Sequence, residues 1–202
     1  MSRFLLIRHC EADHIGNFVA GRMDGVHLNG KGRKQADALA ERLRQVPMDA
    51  IITSPLERAF ESAELLAESK RIFLQKNDAL SEMDFGRWTG CEFEALKDEP
   101  QWKIFNSFRS GALVPGGESI LQVQCRMVST ILEINTEKPD STIALVSHAD
   151  PIKTALIYFL GVPIDCMLRM TISPASVSVL DIGENGAVVQ CINDVDGRLS
   201  VD

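Results

Sequence analysis

The sequence contains no apolar stretch long enough to cross a bilayer. Its first residues, MSRFLLIRH, lack the layout of a signal peptide, and the apolar run Phe4 to Ile7 is short enough to be a buried strand. The expectation is a cytoplasmic protein with no membrane partner. No CxxC pair occurs. The five cysteines, Cys10, Cys91, Cys125, Cys166 and Cys191, are odd in number and scattered, which argues against a disulfide framework and against a zinc site. Each reads as a small buried apolar side chain. Positive charge is not in excess: 21 Lys and Arg stand against 28 Asp and Glu, a formal net charge of −7 with a pI near 5.2. That balance argues against nucleic acid as a partner, although a few arginines can still dominate one pocket. Internal repeats, low-complexity tracts and Pro/Gly/Ser linkers are also missing. The 202 residues, 45% apolar and 24% charged, therefore read as one domain with a full core.

What is present is an alternation of strand and helix patterns. Short apolar runs predict strands over 4–7, 50–53, 72–74, 142–146, 176–180 and 188–192. Helical spacing predicts helices from Asn29 to about Arg44, from Ser54-Pro55 to about Ser69, from Ser119 to Asn135, and from Asp150-Pro151 through Leu160. Residues 76–118 are less regular, hold both tryptophans, and end on the break Pro115-Gly116-Gly117. This order points to an α/β sandwich with a largely parallel sheet. Such sheets bind ligands outside the carboxyl ends of their strands.

At those ends stand Arg8-His9, then Ser54 to Arg58, then Ser147-His148. Two histidines and two arginines together suit one chemistry. A phosphate monoester carries nearly two negative charges that repel a nucleophile, and arginine forks neutralise and orient its oxygens. Neutral imidazole is a competent nucleophile near pH 7 without a metal. A second histidine can stabilise the transferring group, and a carboxyl group can protonate the leaving oxygen and later deprotonate water.

Arg8-His9-Cys10-Glu11 resembles the Arg-His-Gly motif of the histidine phosphatase superfamily, the phosphoglycerate-mutase-like proteins. Further blocks follow in family order: Gly21-Arg22, Leu28 to Ala36, Ser54 to Ala59, Leu80 to Gly90, Pro115 to Ser119, and Val146-Ser147-His148. The resemblance implies a three-layer sandwich, largely parallel with helices on both faces, and a lid-like insertion over about 76–118. It implies His9 as the nucleophile that becomes phosphohistidine, Arg8, Arg58 and His148 as the phosphate pocket, and Glu82 as proton donor and then base. Asn17 is a further candidate phosphate contact. Arg22 is a candidate for an acid group of the substrate, or a surface charge. No metal or organic cofactor is implied, and the partner is a small-molecule phosphate ester.

The pattern departs from the family in places. Cys10 replaces the family glycine, Ala12 a frequent Thr or Ser, and Ala149-Asp150 a frequent Gly-Gly. Asp150 reads as a helix N-cap or as a residue that tunes the site. Asp84 competes with Glu82 for the role of the acid. Cys10 is not the nucleophile of a cysteine phosphatase, because the arginine needed six positions on is Gly16. Asp194-Val195-Asp196-Gly197-Arg198 resembles the paired aspartates of haloacid-dehalogenase-like enzymes, but too little chain follows, and a surface turn is expected. Its glycine is also misplaced for a calcium loop. His27 reads as surface. His14, in the loop after His9, reads as a solvated loop histidine, or as a residue that touches substrate. Trp102, Phe105 and Phe108 read as core, or as an apolar wall for the substrate.

The alternative function is a phosphoglycerate mutase, which returns the phosphoryl group to a sugar acid. Mutases of the family carry an adjacent arginine pair in the lid. Between Gly86 and Gly111 this chain has Arg87, Lys97, Lys103 and Arg109, with no adjacent pair. It is more similar to the short phosphatase branch, which includes the α-ribazole phosphatases and broad-range phosphatases. A non-catalytic phospholigand-binding module would require loss of His9, Glu82 or an arginine, and all are present. A phosphatase acting on phosphohistidine in proteins would have a more open site. The seam Ile120, Val123, Met127 and Ile131 reads as core. Oligomeric state is not set by the sequence, and a homodimer stays open.

Overall fold

The structure, a computed structural model, describes residues 1–197. In chain order the regular elements are β1 (Ser2–Arg8), α1 (Gly30–Arg42), β2 (Ala50–Thr53), α2 (Glu57–Lys70), β3 (Leu74–Lys76), α3 (Phe93–Leu96), α4 (Pro100–Ser107), α5 (Ile120–Glu137), β4 (Thr142–Ser147), α6 (Ala149–Phe159), β5 (Val177–Gly183) and β6 (Gly186–Asp194). The six strands form one sheet in the order β3-β2-β4-β1-β5-β6. The first four run parallel, and β5 and β6 close the sheet antiparallel.

Side-chain alternation along β1 divides the core. Leu5 and Ile7 face one side and pack with Ala36, Leu39, Ala59 and Ala63 of α1 and α2. Phe4 and Leu6 face the other and pack with Met127 and Ile131 of α5 and Ile152 and Ala155 of α6. A strand buried on both faces needs an unbroken apolar run, as β1 has. Each such side chain contributes roughly 1.5–3 kcal/mol on burial. The chain leaves β1 toward one face and β4 toward the other. The crevice between these two adjacent strands is therefore the switch point at which ligands bind.

Caps fix where the helices begin. Asn29 Oδ1 accepts the Lys31 and Gly32 N–H groups at 3.0 and 2.8 Å, a cap worth about 1 kcal/mol. Ser119 and Gln122 form a reciprocal capping box at α5. The expected start of α2 at Ser54-Pro55 is corrected: the helix begins at Glu57, with Leu56 at the cap position. Ser54 Oγ lies 3.3 Å from Leu56 N and also bonds His148 Nε2 at 2.8 Å. The third strand lies at 74–76 rather than 72–74. Ile72 N–H still bonds Ala67 O, closing the end of α2, so it cannot pair in the sheet. Asp150 is not a cap either. It lies inside the first turn of α6, whose cap position is His148.

Residues 76–118 form a covering segment of short helices and turns with its own core. Trp88, Phe105 and Phe85 pack there with Val19, Ile120 and Ile157, and Trp102 stacks on Phe105 with ring centres 5.7 Å apart. The two ends of the segment meet. Arg87 N–H bonds Pro115 O and Glu118 N–H bonds Asp84 O, both at 2.9 Å. A β-carbon on Gly86 would overlap Pro115 O, and one on Gly117 would overlap Asp84 O. Only glycine permits that approach. The seam of Ile120, Val123, Met127 and Ile131 on α5 is fully buried. Among the described residues, no helix is long and apolar enough to cross a membrane.

Candidate active site

The parallel register of β1 and β4 pairs Arg8 with Ser147, and His9 N–H bonds Ser147 O at 2.9 Å. The residues that follow these strands are thus neighbours, and the His9 and His148 rings lie 5.1 Å apart. Arg58 reaches the same point from the first turn of α2. His9, Arg58 and His148 are each at most 1% exposed.

His9 Nδ1 lies 2.6 Å from Cys10 O. A carbonyl only accepts, so Nδ1 carries the proton and Nε2 keeps its lone pair. Burial, then the charges of Arg58 and Arg8, hold the imidazole neutral to well below its ordinary range. His148 is held neutral by burial and Arg58 in the same way. The Cys10 side chain points into the core between α1 and α2, so it does not crowd the pocket. Burial raises its thiol to about 11.

Arg8 spends one terminal nitrogen on Ile172 O at 2.6 Å, and Arg58 spends one on Gly21 O at 2.7 Å. Arg8 Nε, Arg58 Nε, Arg58 Nη1 and His148 Nδ1 are buried and have no hydrogen-bond partner among the described residues. An unpaired buried donor costs about 1–3 kcal/mol, so four on Arg8, Arg58 and His148 is a costly arrangement.

A cleft of 240 Å³ opens beside these groups, with Arg8, Arg58 and Glu82 in its wall. Asp84 is not in that wall; its Oδ1 accepts Gly86 N–H at 2.8 Å. Of these two carboxylates, Glu82 is the one that lines the cleft. Burial, then the charge of Asp150, raises the Glu82 carboxyl to about 7, against the Met83 N–H, Arg58 and Arg8. Ser147 Oγ donates to Leu80 O at 2.7 Å, and Arg22 and Arg126 donate to Glu82 O at 3.0 and 3.1 Å. These bonds fix the turn that carries Glu82.

Two expected contacts lie elsewhere. Arg22 is outside the cleft, paired with Glu118 at 2.8 Å. Asn17 is exposed and outside it too, its amide donated to Asp13 O at 2.6 Å because the loop after β1 turns back on itself there. His14 departs from its reading as a solvated loop residue. It lines the cleft, its ring centre 5.7 Å from that of His9, with Nδ1 buried and unpartnered. Burial, Arg58 and Arg8 lower it to about 4. Of the three aromatics, Trp102 lines the cleft with Phe93, Phe105 is core, and Phe108 faces outward. His27 is on the surface, paired with Glu61. The Asp194-to-Gly197 string ends β6 in a turn, with Gly197 N–H on Asp194 Oδ2 at 3.0 Å; Arg198 lies outside the described residues.

Residues 4–195 match the family described as histidine phosphatase superfamily (branch 1). The chain belongs to this superfamily. Phosphoserine phosphatase 1 of Hydrogenobacter thermophilus is 30% identical over 202 residues, covering 96% of this chain and 92% of that one. A Salmonella choleraesuis protein named "Probable phosphoglycerate mutase GpmB" is 28% identical, covering 96% of this chain and 94% of its own. The alpha-ribazole phosphatase structure from Shigella flexneri covers 96% of each chain with a TM-score of 0.86 at 24% identity, a likeness that shows the histidine phosphatase fold. Within that fold, the cleft residues that sequence reasoning passed over are Arg109, Asn106 and Phe93, with His14 undervalued. His14, by its place in the loop after His9, and Asp150, as a departure after His148, carried a signal; Arg109, Asn106 and Phe93 did not.

Proposed function

We propose that the protein hydrolyses small phosphate monoesters through a phosphohistidine on His9, without a metal. The observation that carries this reading is the presence of four unpartnered buried donors on Arg8, Arg58 and His148, together with a His9 whose Nε2 keeps its lone pair. A phosphoryl group, with several acceptor oxygens and nearly two negative charges, is the chemistry that satisfies them.

His9 Nε2 attacks phosphorus, and the bond from phosphorus to the leaving oxygen breaks. Glu82, protonated, gives its proton to that oxygen. Its Oε1 accepts the Met83 N–H at 2.9 Å, which leaves Oε2 to carry the proton. The Glu82 carboxylate then takes a proton from water, the water oxygen bonds to phosphorus, and the phosphorus–nitrogen bond breaks. Ser54 Oγ, already accepting from Leu56 N–H, donates to His148 Nε2 and so keeps the proton of His148 on Nδ1, where it faces the phosphoryl group.

The cleft volume suits a leaving group of modest size, and Phe93 and Trp102 give it an apolar wall. The mutase reading is disfavoured by the covering segment. Of its basic residues, Arg109 alone lines the cleft, and it is already paired with Asp150. The test is hydrolysis of phenyl phosphate with EDTA present. Wild type is expected to turn over with the chelator and His9→Ala is not. Turnover that needs added metal, or that survives in His9→Ala, overturns the reading. Phosphoryl exchange between the hydroxyls of phosphoglycerate in place of hydrolysis would establish the mutase.

A further inference from the structure

Two carboxylates share the cleft, Glu82 and Asp150. Asp150 is only 13% exposed, and its Oδ2 takes Nη1 of Arg109 at 2.7 Å. Arg109, itself 8% exposed, lies over the Phe105 ring at 4.1 Å, so the pair is clamped from the covering segment. Burial opposes the charge of Asp150, yet Arg109, Lys153 and Arg8 hold it below the usual carboxylate range. A fixed negative charge therefore stands in the wall of the same cleft as Arg8 and Arg58.

Glu82 is placed differently. Met83 N–H reaches Oε1, and among the described residues no hydrogen bond reaches Oε2. From β1 and α2, Arg8 and Arg58 face it, and both favour its ionised form. From α6 come Asp150 and Lys153. His9, His14 and His148 are neutral at pH 7 and add no charge. The cations that would hold a phosphate thus also act to strip the acid of its proton; burial of Glu82 opposes them, and so does one charged group on the cleft wall, Asp150.

We propose that Asp150, clamped by Arg109, is a positioning residue whose fixed negative charge keeps a proton on Glu82 Oε2 in the free enzyme. The inference rests on the phosphatase reading above. Two like charges sharing a buried site cannot both ionise freely, and the better-paired one stays charged. Asp150 has its ion pair and Glu82 has none.

The test is the pH dependence of kcat/KM for an alkyl phosphate, whose leaving oxygen needs the proton. The alkaline limb of the wild type should fall through about pH 7. Asp150→Asn should move the limb down by about one pH unit, and Arg109→Gln should move it up. Loosened packing would not move the two variants in opposite directions. The double variant removes both members of the ion pair, so neither is left buried without the other, which makes it the safest to fold. It should place the limb between that of Asp150→Asn and that of the wild type. A limb at the wild-type position in every folded variant overturns the proposal, whatever happens to the rate. A second readout needs no turnover: the protonated carboxyl band in the infrared difference between wild type and Glu82→Gln at pH 6.5. The same difference taken in the Asp150→Asn background should be weaker by roughly threefold; an equal band overturns the inference. Wild type that hydrolyses nothing overturns the function instead, and the band still decides the role of Asp150.

Discussion

Arg8, His9 and His148 stand on the ends of two hydrogen-bonded strands, whereas Phe93, Trp102, Asn106 and Arg109 stand on short helices and turns of a segment laid across the cleft. The first half is buried and held by backbone register. The second is held by aromatic packing, the Arg109–Asp150 ion pair, and hydrogen bonds such as those of Phe93 N–H to Asn17 O and Ser110 to Asp165. In the proposed reaction the strand-end half meets the phosphoryl group, which every substrate shares. The covering segment meets the leaving group, in which substrates differ, and also carries the acid Glu82. Phosphoryl binding and selectivity would thus fall to separate parts of the chain, an arrangement that lets one change without the other.

The sharpest way to break this division is in the strand-end half. His9→Ala should lower kcat on the order of 10⁴-fold for every ester tried and abolish acid-labile phosphate on the protein, as read by radiolabel trapping. Arg58→Ala should cost roughly 10³-fold, again alike for all substrates in a panel of esters. Glu82→Gln should cost about 10²-fold for alkyl phosphates and much less for nitrophenyl phosphate, whose leaving group departs without a proton, as paired steady-state assays would read. Trp102→Ala lies, like Glu82→Gln, in the covering segment. It should raise KM about tenfold for esters with an apolar leaving group and leave phosphoglycolate nearly unchanged, as KM values across the panel would read. A uniform loss of kcat in that variant would dissolve the distinction. Ser54→Ala, which frees the tautomer of His148, should show the smallest effect, roughly fivefold in kcat with KM preserved.

The strand-end half was legible because its signals are local. An apolar run long enough for one strand, followed at once by Arg-His or Ser-His, places those side chains at the sheet edge whatever the rest of the chain does. The helices were legible for a similar reason, since Asn29 and Ser119 cap through their nearest neighbours. Misplaced boundaries trace to side chains with distant partners. Ser54 turns toward His148, 94 positions on, and Asp150 toward Arg109, 41 positions back. Such pairings override the local preference of Ser and Asp for helix caps. His14 reads as a loop residue until Arg58 and Arg8 are brought against it. Arg109 has no sequence signal at all, because its cleft-facing position depends on how the covering segment folds back.

The meeting of Gly86 with Pro115 and of Gly117 with Asp84 gives the covering segment a closed neck. Both ends leave the sandwich at one spot, so the stretch between them behaves as a cassette. Its length can change while the neck and the sheet beneath keep their registry, since lengthening a loop whose ends are already joined costs little.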